Sequence, residues 1–105
     1  MVKHVVMWKL KPEAAATPEI LDANIARMEK RYQEMKEAVP EMISYELYRN
    51  FKHGNPDFCE FMVVMTFASR EDLKTFQESP SHTDPVAREF GRSIRERRAV
   101  VDYEI

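Results

Sequence analysis

The chain is poor in the residues that build specialised frameworks. Cys59 is its one cysteine, so an internal disulfide and a cysteine-rich metal site are both excluded. The apolar run from Val5 to Trp8 is too short for a signal-peptide core or a membrane span. A net charge of −2 gives no electrostatic reason to expect nucleic acid or an anionic membrane as a partner. We therefore expect a cytoplasmic protein with no nucleic-acid partner and no membrane association.

Motifs that carry chemistry are also scarce. The sequence has no nucleotide-binding loop and no zinc-ligand spacing, so we expect no cofactor and no metal site. A Ser/His/Asp triad stays open, because its members can lie far apart in sequence. The size of 105 residues indicates a single domain, residues 1–105. A local basic cluster is interpreted as a solvated face, with a phosphate-tolerant rim as the alternative: Arg92, Arg95, Arg97 and Arg98.

The first part of the chain predicts a strand and a long helix. Residues 2–10 are rich in β-branched and aromatic side chains, and Pro12 ends the run. Both alternating faces of this strand are largely apolar, which is typical of a strand covered on both sides. A helix follows, with Thr17 as its N-cap and Pro40 at its end. It carries one apolar stripe at helical spacing: Leu21, Ile25, Met28, Tyr32, Met35 and Val39.

The second part predicts a hairpin, a helix broken by proline and a last strand. Short apolar runs bounded by turn residues indicate the strands, and serine, aspartate and proline mark the helix starts. Glu60 interrupts an apolar strand and must be paired or at an exposed edge, with Arg49 as one candidate partner. The predicted strands span 42–50, 58–67 and 99–105, the turn spans 53–57, and the helices follow Ser69 and Asp84, with a break at Pro80 and Pro85.

The element order β-α-β-β-α-β predicts an α+β, ferredoxin-like fold, a four-stranded antiparallel sheet with helices on one face. Residues 2–10 and 58–67 are apolar on both faces, although helices cover only one of them. The other face would expose a large apolar patch on a monomer. We therefore expect a homodimer through the sheet face, a dimeric α/β barrel. Any gap left between the sheets would form a ligand cavity.

Three sets of short motifs occur in order along the chain, and with them the chain resembles the stress-responsive dimeric α/β-barrel (Dabb) family. The resemblance implies a ferredoxin-like fold, a homodimer formed through the sheets, and a cavity between sheet and helices in each subunit. The motifs are Lys3-His4-Val5-Val6 with Lys9-Leu10-Lys11, then Thr66-Phe67 with Ser69, Asp72-Leu73 and Pro80-x-His82, and finally Val101-Asp102-Tyr103.

The resemblance also implies candidate catalytic residues. In a plant member that cyclises a polyketide, a histidine matching His82 and a tyrosine on the preceding helix act in the reaction. A first-strand histidine matching His4 lines the pocket of that protein. Here the tyrosine position is Phe76, and the first histidine of the family's usual His-Pro-x-His stretch is Ser79. Phe76 removes the phenol that would hold or polarise the substrate, so cyclase activity is kept as an alternative hypothesis.

His82 and His4 are the predicted catalytic residues, and we expect both to line one cavity. His82 follows a helix within a polar loop, where it is a general base or, alternatively, a structural histidine. For His4, on an apolar strand face, the alternative is a core histidine hydrogen-bonded to the backbone. His53 is expected to be solvated. Core packing is the alternative for the predicted ligand-contacting residues, which are Val6, Trp8, Tyr45 and Phe76.

Three functions remain open at this stage. The first is a small dimeric protein that binds an apolar or aromatic small molecule near His4 and His82, with acid–base chemistry by these side chains. The second is a structural stress or stability protein whose core is filled by its own side chains. The third is an enzyme with His82 as general base, either polyketide cyclase-like, as the resemblance implies, or, by analogy of fold alone, a cofactor-free or haem-handling oxygenase-like enzyme. Cavity volume separates the first two, because a ligand site needs about 300 Å³ of concave space.

Overall fold

A computed structural model describes residues 1–52 and 55–105, and it has the predicted ferredoxin-like element order. The strands are β1 (Val2–Leu10), β2 (Met42–Arg49), β3 (Phe61–Phe67) and β4 (Arg95–Glu104). The helices are α1 (Pro18–Ala38), α2 (Arg70–Glu78), α3 (Pro80–Thr83) and α4 (Pro85–Ile94), and a 3₁₀ turn spans Pro12–Ala15. The strands form one antiparallel sheet in the order β2-β3-β1-β4. The predicted α+β architecture is confirmed.

Capping side chains begin the helices where the sequence predicts. Thr17 Oγ1 accepts a hydrogen bond from the backbone N–H of Ile20 at 3.1 Å. Ser69 Oγ accepts one from the backbone N–H of Asp72 at 3.1 Å, and the Asp84 carboxylate caps α4 in the same manner. Each cap satisfies an N–H group that has no partner inside its own helix. These caps therefore fix where α1, α2 and α4 start relative to the sheet.

The third and fourth strands differ from the predicted bounds. β3 begins at Phe61 rather than at residue 58, and Phe58 lies 39% exposed beyond the end of the strand. β4 begins at Arg95 rather than at residue 99, because its backbone continues to pair with β1 through a charged, non-alternating segment. Charge on an edge strand discourages pairing with another chain. The predicted turn residues His53 and Gly54 lie outside the described residues.

Glu60 is paired, but with a different cation from the candidate named above. Its Oε2 lies 2.8 Å from Lys9 Nζ, and its Oε1 accepts from the backbone N–H of Leu10 at 2.6 Å. Arg49 instead forms an exposed ion pair with Asp22 on α1. The register of β1 and β3 decides this, since it places the end of β1 against the start of β3.

The sheet has two unlike faces. The helix face buries alternate residues of β1, namely Val2, His4, Val6 and Trp8, and the predicted α1 stripe packs on this side and is fully buried. The other side, called here the open face, carries no helix of the described residues. It consists of Lys3, Val5 and Met7 on β1, Met62 and Val64 on β3, and Val101 and Tyr103 on β4. The prediction that β1 and β3 are apolar on both faces is confirmed.

A register shift changes which residues of β2 face the helices. The irregularity lies between Met42 and Ser44 and puts Met42 in the core. Ile43, which strict alternation would place on one face with Tyr45 and Leu47, is instead 45% exposed. A bulge reverses the alternation of a strand at one point, which the pattern of side chains alone does not reveal.

Candidate functional site

A cavity lies between the helix face of the sheet and the helices, beside β1 and β4. Its enclosed volume is about 70 Å³. The sheet contributes Val6, Trp8 and Met65, α1 contributes Tyr32, and Phe76 reaches in from α2. A larger depression of about 460 Å³ lies on the open face around Met7, Tyr48, Phe58 and Met62. The smaller cavity is the candidate site, because both predicted histidines line it and neither lines the larger one.

Gly91 sets how closely α4 packs over this cavity. A β-carbon at this position would lie 2.9 Å from the indole of Trp8, closer than ordinary van der Waals contact. Glycine therefore lets α4 rest directly on Trp8, at a cost to helix stability of about 1 kcal/mol relative to alanine. The same close approach brings the arginines of α4 to the cavity opening.

His4 is held by a carboxylate on the neighbouring strand. Its residue is 6% exposed, and its Nδ1 contacts Asp102 Oδ1. The register of β1 and β4 pairs the two residues directly opposite each other, so their side chains meet on one face. A carboxylate oxygen can only accept, so Nδ1–H donates to it and Nε2 is the ring nitrogen left without a partner among the described residues. The partner is thus a carboxylate rather than the backbone group considered above.

His82 lies in α3, a single turn of helix between α2 and α4. Its Nδ1 is 3.2 Å from the carbonyl oxygen of Gln77, which can only accept, so Nδ1 carries the proton and Nε2 the lone pair. The ring packs on Phe76 with a centroid distance of 4.8 Å. Burial lowers the pKa of His82, and the positive charge of Arg88 lowers it further. At neutral pH the imidazole is therefore uncharged and able to accept a proton.

A phenol reaches the cavity from α1. Tyr32 is 4% exposed, and its hydroxyl oxygen accepts a hydrogen bond from Trp8 Nε1–H at 3.1 Å. Burial raises the pKa of Tyr32 to about 12, although the bond from Trp8 and nearby arginines act in the opposite direction. The hydroxyl therefore stays protonated, and its own hydrogen has no acceptor among the described residues. It is available to donate to a molecule in the cavity.

Five arginines surround the opening of the cavity, and we call them the arginine rim. Arg31 is held in place by the backbone carbonyls of Ala87, at 2.9 Å, and Ser81. The guanidinium of Arg95 lies over the Trp8 ring, 5.4 Å from its centroid. The rim consists of Arg31, Arg88, Arg92, Arg95 and Arg98.

The structure brings most of the predicted site residues together. His4 and His82 line one cavity, as do the predicted contact residues Val6, Trp8 and Phe76. Tyr45 does not line it. This side chain lies on β2, at the far edge of the sheet, and packs on Tyr32 with ring centroids 6.2 Å apart. Core packing, the alternative considered for the aromatics, describes Tyr45 best.

Sequence reasoning missed three parts of the site. Asp102 was recognised only as part of the closing motif, and Tyr32 only as a member of the α1 stripe. The basic cluster was interpreted mainly as a solvated face, whereas three of its members belong to the rim. The order of strands in the predicted fold could have found Asp102, since it places β4 beside β1. Nothing local marks Tyr32 or Arg31.

Within residues 1–52 and 55–105, no cluster of three or more His, Cys, Asp and Glu side chains is placed to hold a metal ion. In the same part of the chain, no helix combines the length and the apolar character needed to cross a membrane.

Comparison with known proteins identifies the family. A family model described as the stress-responsive A/B barrel domain matches residues 2–105. The chain belongs to this family. The Dabb resemblance carried by the sequence motifs is therefore confirmed over nearly the whole chain. No curated protein matches the chain.

Solved structures share the Dabb fold at low sequence identity. A Dabb family protein from Mesorhizobium loti is 20% identical with a TM-score of 0.74, covering 99% of this chain and 95% of that one. A dimeric protein of unknown function from Bacteroides fragilis is 23% identical with a TM-score of 0.70, covering 99% and 95%. A hydroxynitrile lyase from Passiflora edulis is 23% identical with a TM-score of 0.70, covering 99% and 92%. At these identities the likeness shows the fold alone.

Proposed function

We propose that this Dabb protein binds a small apolar or aromatic molecule in the cavity beside His4 and His82, and that His82 is the general base of a reaction there. One observation carries the proposal. Both imidazoles border the same cavity, and each has its Nδ1 engaged by an oxygen acceptor, Asp102 for one and Gln77 for the other. Both Nε2 atoms are consequently left for a ligand.

We assign the role of general base to His82. Its lowered pKa keeps it neutral at pH 7, and its position on α3 brings it to the cavity from the helix side. A positioned general base typically contributes about 10²–10⁴ in rate. The Tyr32 hydroxyl, facing the same space, would donate a hydrogen bond to an oxygen or nitrogen of the ligand. It would supply, from α1, the phenol that Phe76 lacks on α2.

The fold is compatible with such chemistry, since one structural neighbour is a hydroxynitrile lyase. The enclosed volume limits the ligand. About 70 Å³ is well below the roughly 300 Å³ that encloses a drug-sized molecule. The cavity therefore takes a molecule of a few heavy atoms, or one end of a longer molecule that extends through the rim.

The same small volume favours a second candidate function, a stress or stability protein without a ligand. Trp8, Phe76 and Met65 fill much of the space between sheet and helices and are almost fully buried. In that case Asp102 and Gln77 would serve only to satisfy two buried or half-buried histidines.

We also infer a homodimer formed through the open face. Val101 and Tyr103 are 51% and 44% exposed in the single subunit, next to Val5, Met7 and Val64. An apolar patch of this kind is uncommon on a monomer. The description of the Bacteroides fragilis neighbour as dimeric supports this assignment.

Trp8 is the only tryptophan of the chain, so its indole N–H signal reports the cavity directly. We would titrate the protein with benzyl alcohol and isobutyramide and follow this signal, the His82 ring signals and the backbone amides by NMR. Saturable shifts of Trp8 and His82, with no shift at Val64 on the open face, support the proposal. If these signals stay unchanged with both probes and with isobutyrate at millimolar concentration, the stability protein is favoured.

A catalytic role is tested with His82→Gln, which keeps a polar side chain on α3. Once a reaction is found among small hydroxyl-bearing or carbonyl substrates, this variant should lose about 10²–10⁴ in rate while its circular dichroism spectrum is unchanged. Tyr48→Phe, on the exposed side of β2, is the matched control and should keep full activity. Equal activity of His82→Gln and wild type would contradict the assignment of His82.

A further inference from the structure

The arginine rim is a concentration of positive charge on a chain whose net charge is −2. Its members come from α1, from α4 and from the start of β4, so the fold gathers them from three elements. Among the described residues that line the cavity, none is an aspartate or glutamate. The opening of the cavity is therefore positively charged, and the interior behind it is mainly apolar.

None of the five rim arginines forms an ion pair with the described residues. Elsewhere on the chain, arginines do have such partners. Arg49 pairs with Asp22, and Arg70 pairs with Glu104. Asp102, whose carboxylate contacts the cavity residue His4, is already engaged by that contact. The rim thus has no internal counterion among the described residues, whereas Arg49 and Arg70, which do not line the cavity, each have one.

Mutual repulsion makes this arrangement unfavourable in the absence of a ligand. Burial lowers the pKa of Arg95, and the neighbouring charges of Arg98, Arg88 and Arg92 lower it further. Two members are nevertheless fixed in place, Arg31 by backbone carbonyls and Arg95 by stacking on Trp8. Binding groups that are ordered beforehand lose less entropy when a ligand arrives.

We propose that the rim binds the anionic group of the ligand, and that the ligand class is a small organic acid. A carboxylate or phosphate group would lie among Arg88, Arg95 and Arg98, since guanidinium groups match both anions with paired hydrogen bonds. The apolar part would enter between Trp8 and Phe76. This inference rests on the proposed small-molecule site and names the chemistry of its ligand.

Three probes of similar size separate charge from shape. Isobutyrate carries a carboxylate, isopropyl phosphate carries a phosphate, and isobutyramide is the neutral counterpart of the first. Each is titrated into the full chain at constant ionic strength, with the Trp8 indole signal as the readout. We expect one or both anions to bind about tenfold or more tightly than the amide. The stronger of the two anions identifies the group that the rim accepts.

A matched pair of variants changes two neighbouring residues of β4 whose side chains lie on opposite sides of the sheet. Arg98 pairs with Trp8 in the register and belongs to the rim, whereas Arg97 pairs with Lys9 and donates to the carbonyl of Asp57 at 3.1 Å. Arg98→Gln and Arg97→Gln remove the same charge. We expect Arg98→Gln to lose most of the preference for anions and Arg97→Gln to keep it. Arg88→Gln, on α4, repeats the first test from another element.

The outcomes distinguish this inference from the proposal on which it rests. Equal affinity for the amide and both anions, with Trp8 responding to all three, overturns the anion preference and leaves the small-molecule cavity standing. No response of Trp8 to any probe at millimolar concentration overturns both. A preference for anions that Arg97→Gln and Arg98→Gln weaken equally assigns it to overall charge and overturns the role of the rim. Neutralising a rim arginine relieves repulsion, so these variants are expected to fold.

Discussion

The two faces of the sheet have opposite characters. On the helix face, His4, Tyr32 and the arginine rim bring polar and charged groups into or around an apolar core. On the open face, side chains such as Val5 and Val64 form a largely apolar surface with no helix of the described residues over it. Polar groups buried at a cost to stability indicate chemistry or binding, whereas a broad apolar surface indicates assembly.

The largest expected effect comes from placing the same charge on each face. Val6→Asp puts a carboxylate at a position that is 3% exposed in the core and should cost about 4 kcal/mol or more, a large part of a domain's total stability. Val64→Asp should leave the subunit folded but prevent the proposed dimer and make the protein prone to aggregation. Thermal unfolding by circular dichroism and sedimentation velocity measure the two effects.

Two outcomes would contradict this difference between the two faces of the sheet. A Val64→Asp protein that stays dimeric at micromolar concentration would remove the open face from the interface. Similar unfolding temperatures for the two variants would show that the helix face is no more sensitive to charge than the open face.

The next largest effect concerns the buried ion pair at one end of the open face. The side chains of Lys9 and Glu60 are only 11% and 15% exposed, so Glu60→Gln leaves a buried cation without its partner. We expect the free energy of unfolding to fall by about 3 kcal/mol. Asp22→Asn, which breaks the exposed pair with Arg49, should cost less than about 1 kcal/mol. Equal losses in urea titrations of the two variants would contradict this difference in burial.

A smaller effect is expected inside the helix face. Tyr32→Phe removes the acceptor of the Trp8 indole N–H and should reduce the free energy of unfolding by about 2 kcal/mol. It should also shift the indole N–H resonance of Trp8. Tyr45→Phe is the matched control, because this half-buried ring packs on Tyr32 without a hydrogen bond from its hydroxyl to the described residues. Equal losses of stability in the two variants would show that the hydrogen bond from the Trp8 indole to the Tyr32 hydroxyl does not stabilise the fold.

The smallest effect is a pH dependence. Folding lowers the pKa of His82, chiefly by burial and then by Arg88, so below about pH 6.5 the unfolded chain binds a proton that the folded chain resists. The contribution of His82 to stability is therefore complete above that pH and is lost as the pH falls. His82→Gln should lose less stability than wild type between pH 7.5 and 5 in urea titrations. Identical pH profiles would show that His82 is not desolvated by folding.

The histidines show how far prediction from sequence extends. The family resemblance implies that His4 and His82 line one cavity, and both do line the same cavity in the structure. The sequence does not predict that Asp102 holds His4, because the two residues are 98 positions apart in the chain and become neighbours only in the sheet. Tyr45 fails as a cavity residue because the cavity lies beside β4, at the opposite edge of the sheet from β2.

By itself the sequence determined the order of the elements, the helix starts at Thr17 and Ser69, and the apolar character of both faces of β1. These follow from local signals, namely caps, prolines and the periods of helix and strand. Only the tertiary structure decided the partners of His4 and Glu60, the contact of Tyr32 with Trp8, and the gathering of the arginine rim. Each of these depends on register and on the packing of helix against sheet, which join residues that no local pattern connects.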